Sequence, residues 1–341
     1  MKKPGWSKSI VLTSMAAAVF GALYLTNDTY IMHQVIRSED SFTAVSAYLI
    51  LGGWIGTICI LIYNSIFGKW LDSDYPGFNF GTSKMQIFAL VSGIIAAGST
   101  AFCLIGNQKL DPSLVTALAN LSILYLVFYD GFRGRISLPK IWLPVVLIIG
   151  GSILASVTRI SGGFEITLIG ILFLLIGRCL TDAVEKVIRQ EGVWKSDAVT
   201  FNFWRFLWLT ISGTVMALVI ALARGTFDQL IGLLQSCWKP AFPWILLTMF
   251  FVFFFNTLFQ KALKTGAVSK VSLLLNFQIV LGIPLALAAS SLWPGVFGEL
   301  PSDPVVWLMR FAGAILIIAG IVPLAKKKLE LEEKEKPEEK R

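Results

Sequence analysis

The chain has a single histidine, His33, and four cysteines among 341 residues. Cys59, Cys103 and Cys179 fall inside apolar runs, Cys237 stands alone in a polar stretch, and no two lie at metal-ligand spacing. The sequence therefore points to no metal site, no disulfide framework and no haem held by paired histidines; no cofactor is expected. Charge is scarce as well. Asp, Glu, Lys and Arg make up 15% of the chain, against about 25% in a soluble protein. A Gly-rich phosphate loop leading into Lys-Ser/Thr is missing, which excludes ATP as a direct fuel. His33 has only Glu39 and Asp40 near it in sequence, in a predicted connection of about 17 residues, so the acid/base cluster of a membrane-embedded transferase is not visible. The expectation is that the chain is not an enzyme.

Apolar residues are what the chain has most of: 55% of positions, with 29 glycines besides and a mean hydropathy of +0.73. This composition predicts an all-α polytopic membrane protein. The net charge of +8 then belongs on cytoplasmic loops rather than on a nucleic acid, and the partners expected are the lipid bilayer and a small-molecule cargo. Ten apolar runs are long enough to span: about Ser9–Leu25, Thr43–Tyr63, Met85–Gly106, Ser113–Tyr129, Ile141–Thr158, Glu165–Ala183, Val199–Ala223, Pro243–Leu263, Ser269–Ser290 and Val305–Leu324. Turn chemistry separates them, as in Asp72-Ser73-Asp74-Tyr75-Pro76-Gly77 and Ser161-Gly162-Gly163. The first run has no small-residue cleavage site before the next polar segment and reads as an uncleaved span after a short N-terminus, residues 1–8.

Orientation follows from Lys and Arg. With the N-terminus inside, 21 lie on the inner side and 5 on the outer, and Arg178, Arg205 and Arg310 fall within spans. Both termini are therefore expected in the cytoplasm, in a plasma (inner) membrane. The Lys/Glu-rich tail, residues 326–341, cannot bury a core and is expected to be disordered.

Ten spans divide into five and five, residues 9–158 and 165–325. Ser113, Thr116 and Asn120 in the fourth span recur as Ser269, Ser272 and Asn276 in the ninth, all displaced by 156 residues. Each set falls on one helical face. Because five is odd, the second repeat enters the membrane inverted. The two stripes then reach toward the midplane from opposite sides, as in carriers that open alternately to each face. The alternative is that these side chains bond neighbouring helices, at roughly 0.6 kcal/mol apiece.

These features resemble the ten-span, EamA-like branch of the drug/metabolite transporter superfamily. The resemblance covers about Ser9 to Leu324 and is strongest at Gly266-Ala267-Val268-Ser269-Lys270-Val271-Ser272-Leu273-Leu274-Leu275 and at Gly313-Ala314-Ile315-Leu316-Ile317-Ile318-Ala319-Gly320. Phe20-Gly21 stands where the family often has Trp-Gly, Asp130 or Gly298-Glu299 where each repeat usually has Gly-Glu, and Arg205-Phe206 resembles the Arg-Phe of its seventh span. The chain departs from the family at Ile123, where a proline is usual, and at Gln278-Ile279, which replaces Glu-Pro. The resemblance implies carrier-mediated movement of small metabolites, often efflux of amino acids or related compounds.

Intramembrane charges are functional candidates. Arg178 and Asp182, at i and i+4, share a face of the sixth span, and Glu185 and Arg189 continue that face into the cytoplasmic loop. They read either as an inner gate or coupling carboxylate, with Arg205 alongside, or as an interfacial ion pair. Three arginines against one aspartate favour an anionic or zwitterionic cargo. The first span, ending at Leu25, has no membrane-centred carboxylate to capture an organic cation. Trp54, Asn256 and Gln278 complete the candidate pathway, with Trp204, Trp208 and Asn202 as further lining positions. The leading function is a secondary transporter working by alternating access; a non-transporting receptor or scaffold and a membrane-embedded transferase are the rivals.

Overall fold

The computed structural model describes residues 8–109, 121–132, 142–155, 157–159, 165–166, 173–265, 268–275, 277–292 and 303–334. The protein is helical. Helix α1 (Lys8–Tyr30) continues as a π-helical turn over Ile31–Val35, and α2 (Ser41–Leu71) and α3 (Ser83–Lys109) follow. Then come α4 (Ser122–Phe132), α5 (Trp142–Ala155) and a small antiparallel ribbon of β1 (Val157–Arg159) with β2 (Glu165–Ile166). A second π-helical segment, Phe173–Cys179, leads into α6 (Leu180–Val193), followed by α7 (Ala198–Arg224) and α8 (Phe227–Thr265). The last described elements are α9 (Val268–Leu275), α10 (Phe277–Leu292) and α11 (Pro304–Lys334).

Four of these helices, residues 41–71, 83–106, 198–224 and 227–265, are long and apolar enough to cross a membrane. The chain is a helical membrane protein. Its exposed surface carries large apolar side chains in rows, such as Trp54, Ile58, Leu61, Ile62 and Ile66 along α2, a pattern suited to lipid rather than water.

Several boundaries differ from the sequence expectation. The first helix does not stop at Leu25: Thr26-Asn27-Asp28-Thr29 stays helical because its polar groups are satisfied, Thr26 and Thr29 each donating to the carbonyl four residues back. His33 therefore lies in a π-helical turn and not in a long loop. Residues 165–166, expected to open the sixth span, pair with β1, and the helical stretch that is described runs over 173–193. Cys237 is buried in α8, which begins sixteen residues before Pro243 and contains both Pro240 and Pro243. Helix α11 runs on to Lys334, into the tail expected to be disordered.

Helix ends are fixed by side chains. Asp40 caps α2 by accepting from the Thr43 amide at 3.1 Å, and Asp197 caps α7 through Thr200 at 2.7 Å. Asp72 joins the two, its Oδ2 accepting the Ala198 amide at 2.9 Å. Gly225 ends α7 in the left-handed region at φ +66°.

The packing has a pattern. Helix α2 lies on α7, and α5 lies on α11. Helix α1 packs on α8 while α3 packs on α6 and its π-segment; α3 packs on α7 while α8 packs on α2; α1 packs on α10 while α4 packs on α6. Exchanging α1, α2, α3, α4 and α5 for α6, α7, α8, α10 and α11 turns each of these contacts into itself or into another of them.

Candidate functional site

Between the two sets of helices lies a cavity of about 130 Å³, lined from α1, α2, α3, α6, α7, α8, α9 and α10. Its wall sets seven charged side chains among apolar and neutral ones. Such groups require partners there, since moving a charge out of water is costly unless it is paired.

One group of lining residues is cationic. Glu185 on α6, 3% exposed, is the centre of a cluster: its Oε1 accepts from Arg189 Nε at 2.7 Å and from Arg205 Nε of α7 at 2.5 Å, and Ser92 of α3 donates to the same oxygen at 2.7 Å. Arg189 also donates to Asn256 Oδ1 of α8 at 2.7 Å and lies 5.2 Å from the centre of the Phe259 ring. One turn away, Asp182 is bridged by Lys186 at 2.7 Å and more loosely by Arg178 at 3.9 Å. Lys186 donates to Ser122 of α4 at 2.8 Å, and Arg178 donates to Ser99 of α3 at 3.0 Å while its Nε has no hydrogen-bond partner among the described residues. Arg178 belongs to the π-helical segment, a form often found at functional sites. Four cations thus face two carboxylates in this cluster.

A second group of lining residues is anionic and aromatic. Asp28 of α1 lines the cavity and is buried. Tyr48 of α2 and Thr248 of α8 both donate to its Oδ1, and Thr248 in turn accepts from Asn27 at 2.6 Å. Among the described residues no cation pairs with Asp28. Tyr24 and Phe255, with ring centroids 5.2 Å apart, form the adjoining wall.

Of the residues singled out in the sequence, Arg178, Asp182, Arg205, Asn256 and Gln278 line this cavity. Gln278 packs directly over Gly21, at a point where a Cβ on that glycine would collide with its amide. Ser272 is buried outside the lining, and Ser269 lies in α9. Trp54 is 45% exposed on the outer face of α2, away from the cavity. Asn202 is buried and donates to Thr257 at 3.2 Å, Trp204 donates to the Asn79 carbonyl at 2.9 Å, and Trp208 donates to Gln86 at 3.3 Å. Ser113, Thr116, Asn120 and Asn276 lie outside the described residues.

Two sequence expectations need correction. Glu185 and Arg189 do not run into a cytoplasmic loop; they are buried, because Arg205 and Asn256 supply the partners that let α6 carry them inside. The first helix runs past Leu25 and carries a buried carboxylate, Asp28, which the span ending at Leu25 left out. A sequence signal for it exists: Leu25-Thr26-Asn27-Asp28 resembles Leu180-Thr181-Asp182. Thr26 and Thr181 even make the same bond, to the carbonyl four residues back.

No protein-family model matches the chain, and no curated protein matches it. Among solved structures 26 chains match. One of them, a crystal structure of a protein, covers 94% of this chain and 98% of its own length with a TM-score of 0.53 at 14% identity. At that identity the likeness is one of fold.

Proposed function

We propose that this protein is a secondary transporter of small metabolites, built as ten spans in two inverted five-helix repeats and working by alternating access. The observation that carries the reading is the packing pattern: contacts exchange when α1–α5 are swapped for α6, α7, α8, α10 and α11, and the charged cavity is lined from both sets. Two halves that share one central site and pack on each other in equivalent ways can rock about it, which is how alternating access operates in repeat-built carriers. The same pattern supports membership of the EamA-like branch of the drug/metabolite transporter superfamily.

In this reading the cargo binds among Arg178, Asp182, Arg205, Asn256, Gln278 and Asp28. The cationic cluster, with the Arg178 Nε left over, receives an anionic group. The presence of Asp28 in the same cavity favours a zwitterionic, amino-acid-like cargo over a simple anion. Both termini face the cytoplasm, in the plasma (inner) membrane, and transport runs as efflux or exchange.

The test is flux. Purified protein in proteoliposomes is expected to move a labelled amino-acid-like compound across the bilayer without altering it covalently. Binding with no flux would instead favour a receptor, and covalent turnover a transferase. A reporter joined after Arg341 is expected to read as cytoplasmic, and an external reading would overturn the topology.

A further inference from the structure

Three carboxylates line the cavity, and they are not equivalent. Asp182 has Lys186 at 2.7 Å and Arg178 at 3.9 Å, and Glu185 has two guanidinium groups on one oxygen. Asp28 has only hydroxyls, and both of them bond the same oxygen, Oδ1. Thr248 is oriented for this, since its own oxygen already accepts from Asn27. The hydroxyls thus fix the carboxyl group without neutralising it. An ionised carboxyl taken out of water and left without a counter-charge is unstable, and either a proton or a bound cation relieves that cost.

The geometry points to Asp28 as an exchange site at which a proton and the ammonium group of an organic cation or zwitterion compete. This rests on the transporter reading and deepens it: the ammonium end of the cargo is received at Asp28, and its arrival displaces one proton. The neighbouring rings suit that ligand. Tyr24 and Phe255 stand 5.2 Å apart beside Asp28 in the same wall, and aromatic faces attract an alkylammonium ion. Other titratable groups of the cavity are placed differently. Tyr24 is on the same helix, Tyr48 on α2 holds the carboxyl, and Cys103 on α3 is buried; Arg178 of the π-segment acts on Asp28 through its charge without forming an ion pair with it, and Asp182, Glu185, Lys186, Arg189 and Arg205 make up the rest of the ionised lining. From α8 and α10 the facing polar groups, Thr248, Asn256 and Gln278, are neutral.

The exchange is read directly as proton release. Purified protein in weakly buffered detergent is titrated with butylammonium while an indicator dye follows pH. The expected result is release of about one proton per chain at saturation, by linkage of the two ligands at one carboxyl. Asp28→Asn, which keeps an oxygen for Tyr48 and Thr248, is expected to abolish the release while leaving the melting temperature within a few degrees. In parallel, dicyclohexylcarbodiimide, which adds to protonated carboxyl groups in apolar surroundings, is expected to label Asp28 and not Asp182 or Glu185, with butylammonium suppressing the adduct. No proton release by the unaltered protein, or equal release by folded Asp28→Asn protein, overturns the proposal. So does labelling of Asp182 or Glu185 in place of Asp28. None of these measurements needs flux: release without flux removes the transporter reading alone, and flux without release removes this one alone.

Discussion

Glu185 and Arg205 tie α6 to α7 through one bond, Nε to Oε1 at 2.5 Å, across 20 residues of sequence and buried inside the bundle. Arg189 takes the same oxygen from the other side. Two guanidinium groups therefore depend on a single carboxylate for their charge balance, and that dependence is asymmetric.

Glu185→Gln is expected to destabilise the protein by about 3–5 kcal/mol, because it leaves two buried cations without an anion. Replacing all three together, with Glu185→Leu, Arg189→Met and Arg205→Met, is expected to recover most of that loss, since removing a whole buried ionic cluster is often neutral. Denaturant melts of the three proteins in one detergent check this. Equal destabilisation of the single and triple variants would show that the cluster acts through something other than its charge balance.

Helix α3 approaches α7 closely at one glycine and not at another. A Cβ on Gly93 would lie 2.8 Å from the Arg205 carbonyl oxygen and 2.8 Å from the Leu209 amide nitrogen, both backbone atoms that cannot move alone. A Cβ on Gly98 would meet nothing within 4 Å. Gly93→Ala is expected to cost about 1–3 kcal/mol by pushing the helices apart. Gly98→Ala is expected to be neutral or to add up to about 1 kcal/mol through helix propensity. The pair of melting temperatures, measured side by side, reads the closeness of the two helices.

Outside the membrane, Asp74 in the α2–α3 connection receives the Lys264 ammonium at 2.8 Å. That hydrogen bond and charge hold its carboxyl below the ordinary range. A folded-state value below the unfolded one means the pair stabilises the protein above the unfolded pKa of about 3.9 and ceases to as pH falls through the folded value. The melting temperature of the unaltered protein should therefore exceed that of Asp74→Asn by a small, constant amount at neutral pH. The gap should close in acid below about pH 4. A gap that persists there would assign the effect to something other than this ion pair.

How far the sequence foretold this arrangement depended on the kind of signal. Arg178, Asp182, Asn256 and Gln278 were legible because a polar side chain in an apolar run stands out by itself. Asp28 was not, since Thr26-Asn27-Asp28-Thr29 reads as the start of a loop; only the back-bonding of Thr26 and Thr29 and the partners on α2 and α8 keep it helical and buried. The Glu185 cluster was invisible for a different reason: its partners come from α3, α7 and α8, beyond any sequence window. Trp54 misled because α2 is apolar on all sides. Its face toward lipid, shared with Ile58, Leu61 and Ile66, has the same composition as its face toward the core.

Asp182 offers the sharpest contrast with Asp28, because the same substitution should do opposite things at the two sites. Asp182 bridges Lys186 at 2.7 Å and Arg178 at 3.9 Å. Asp182→Asn removes the anion both cations share and should lower folded yield and melting temperature by several degrees. Asp28→Asn removes a charge that no cation shares and should not. Adding Lys186→Gln to Asp182→Asn restores the balance at one of the two cations and should recover part of the loss, a non-additivity that double-mutant cycles measure between contacting groups. If Asp182→Asn instead folds normally and only pH-driven accumulation in proteoliposomes fails, then Asp182 carries the coupling proton and its bridges open during the cycle. If yield, stability and accumulation all stay unchanged, the pair with Lys186 is a surface contact of no consequence, which its position in the cavity wall argues against.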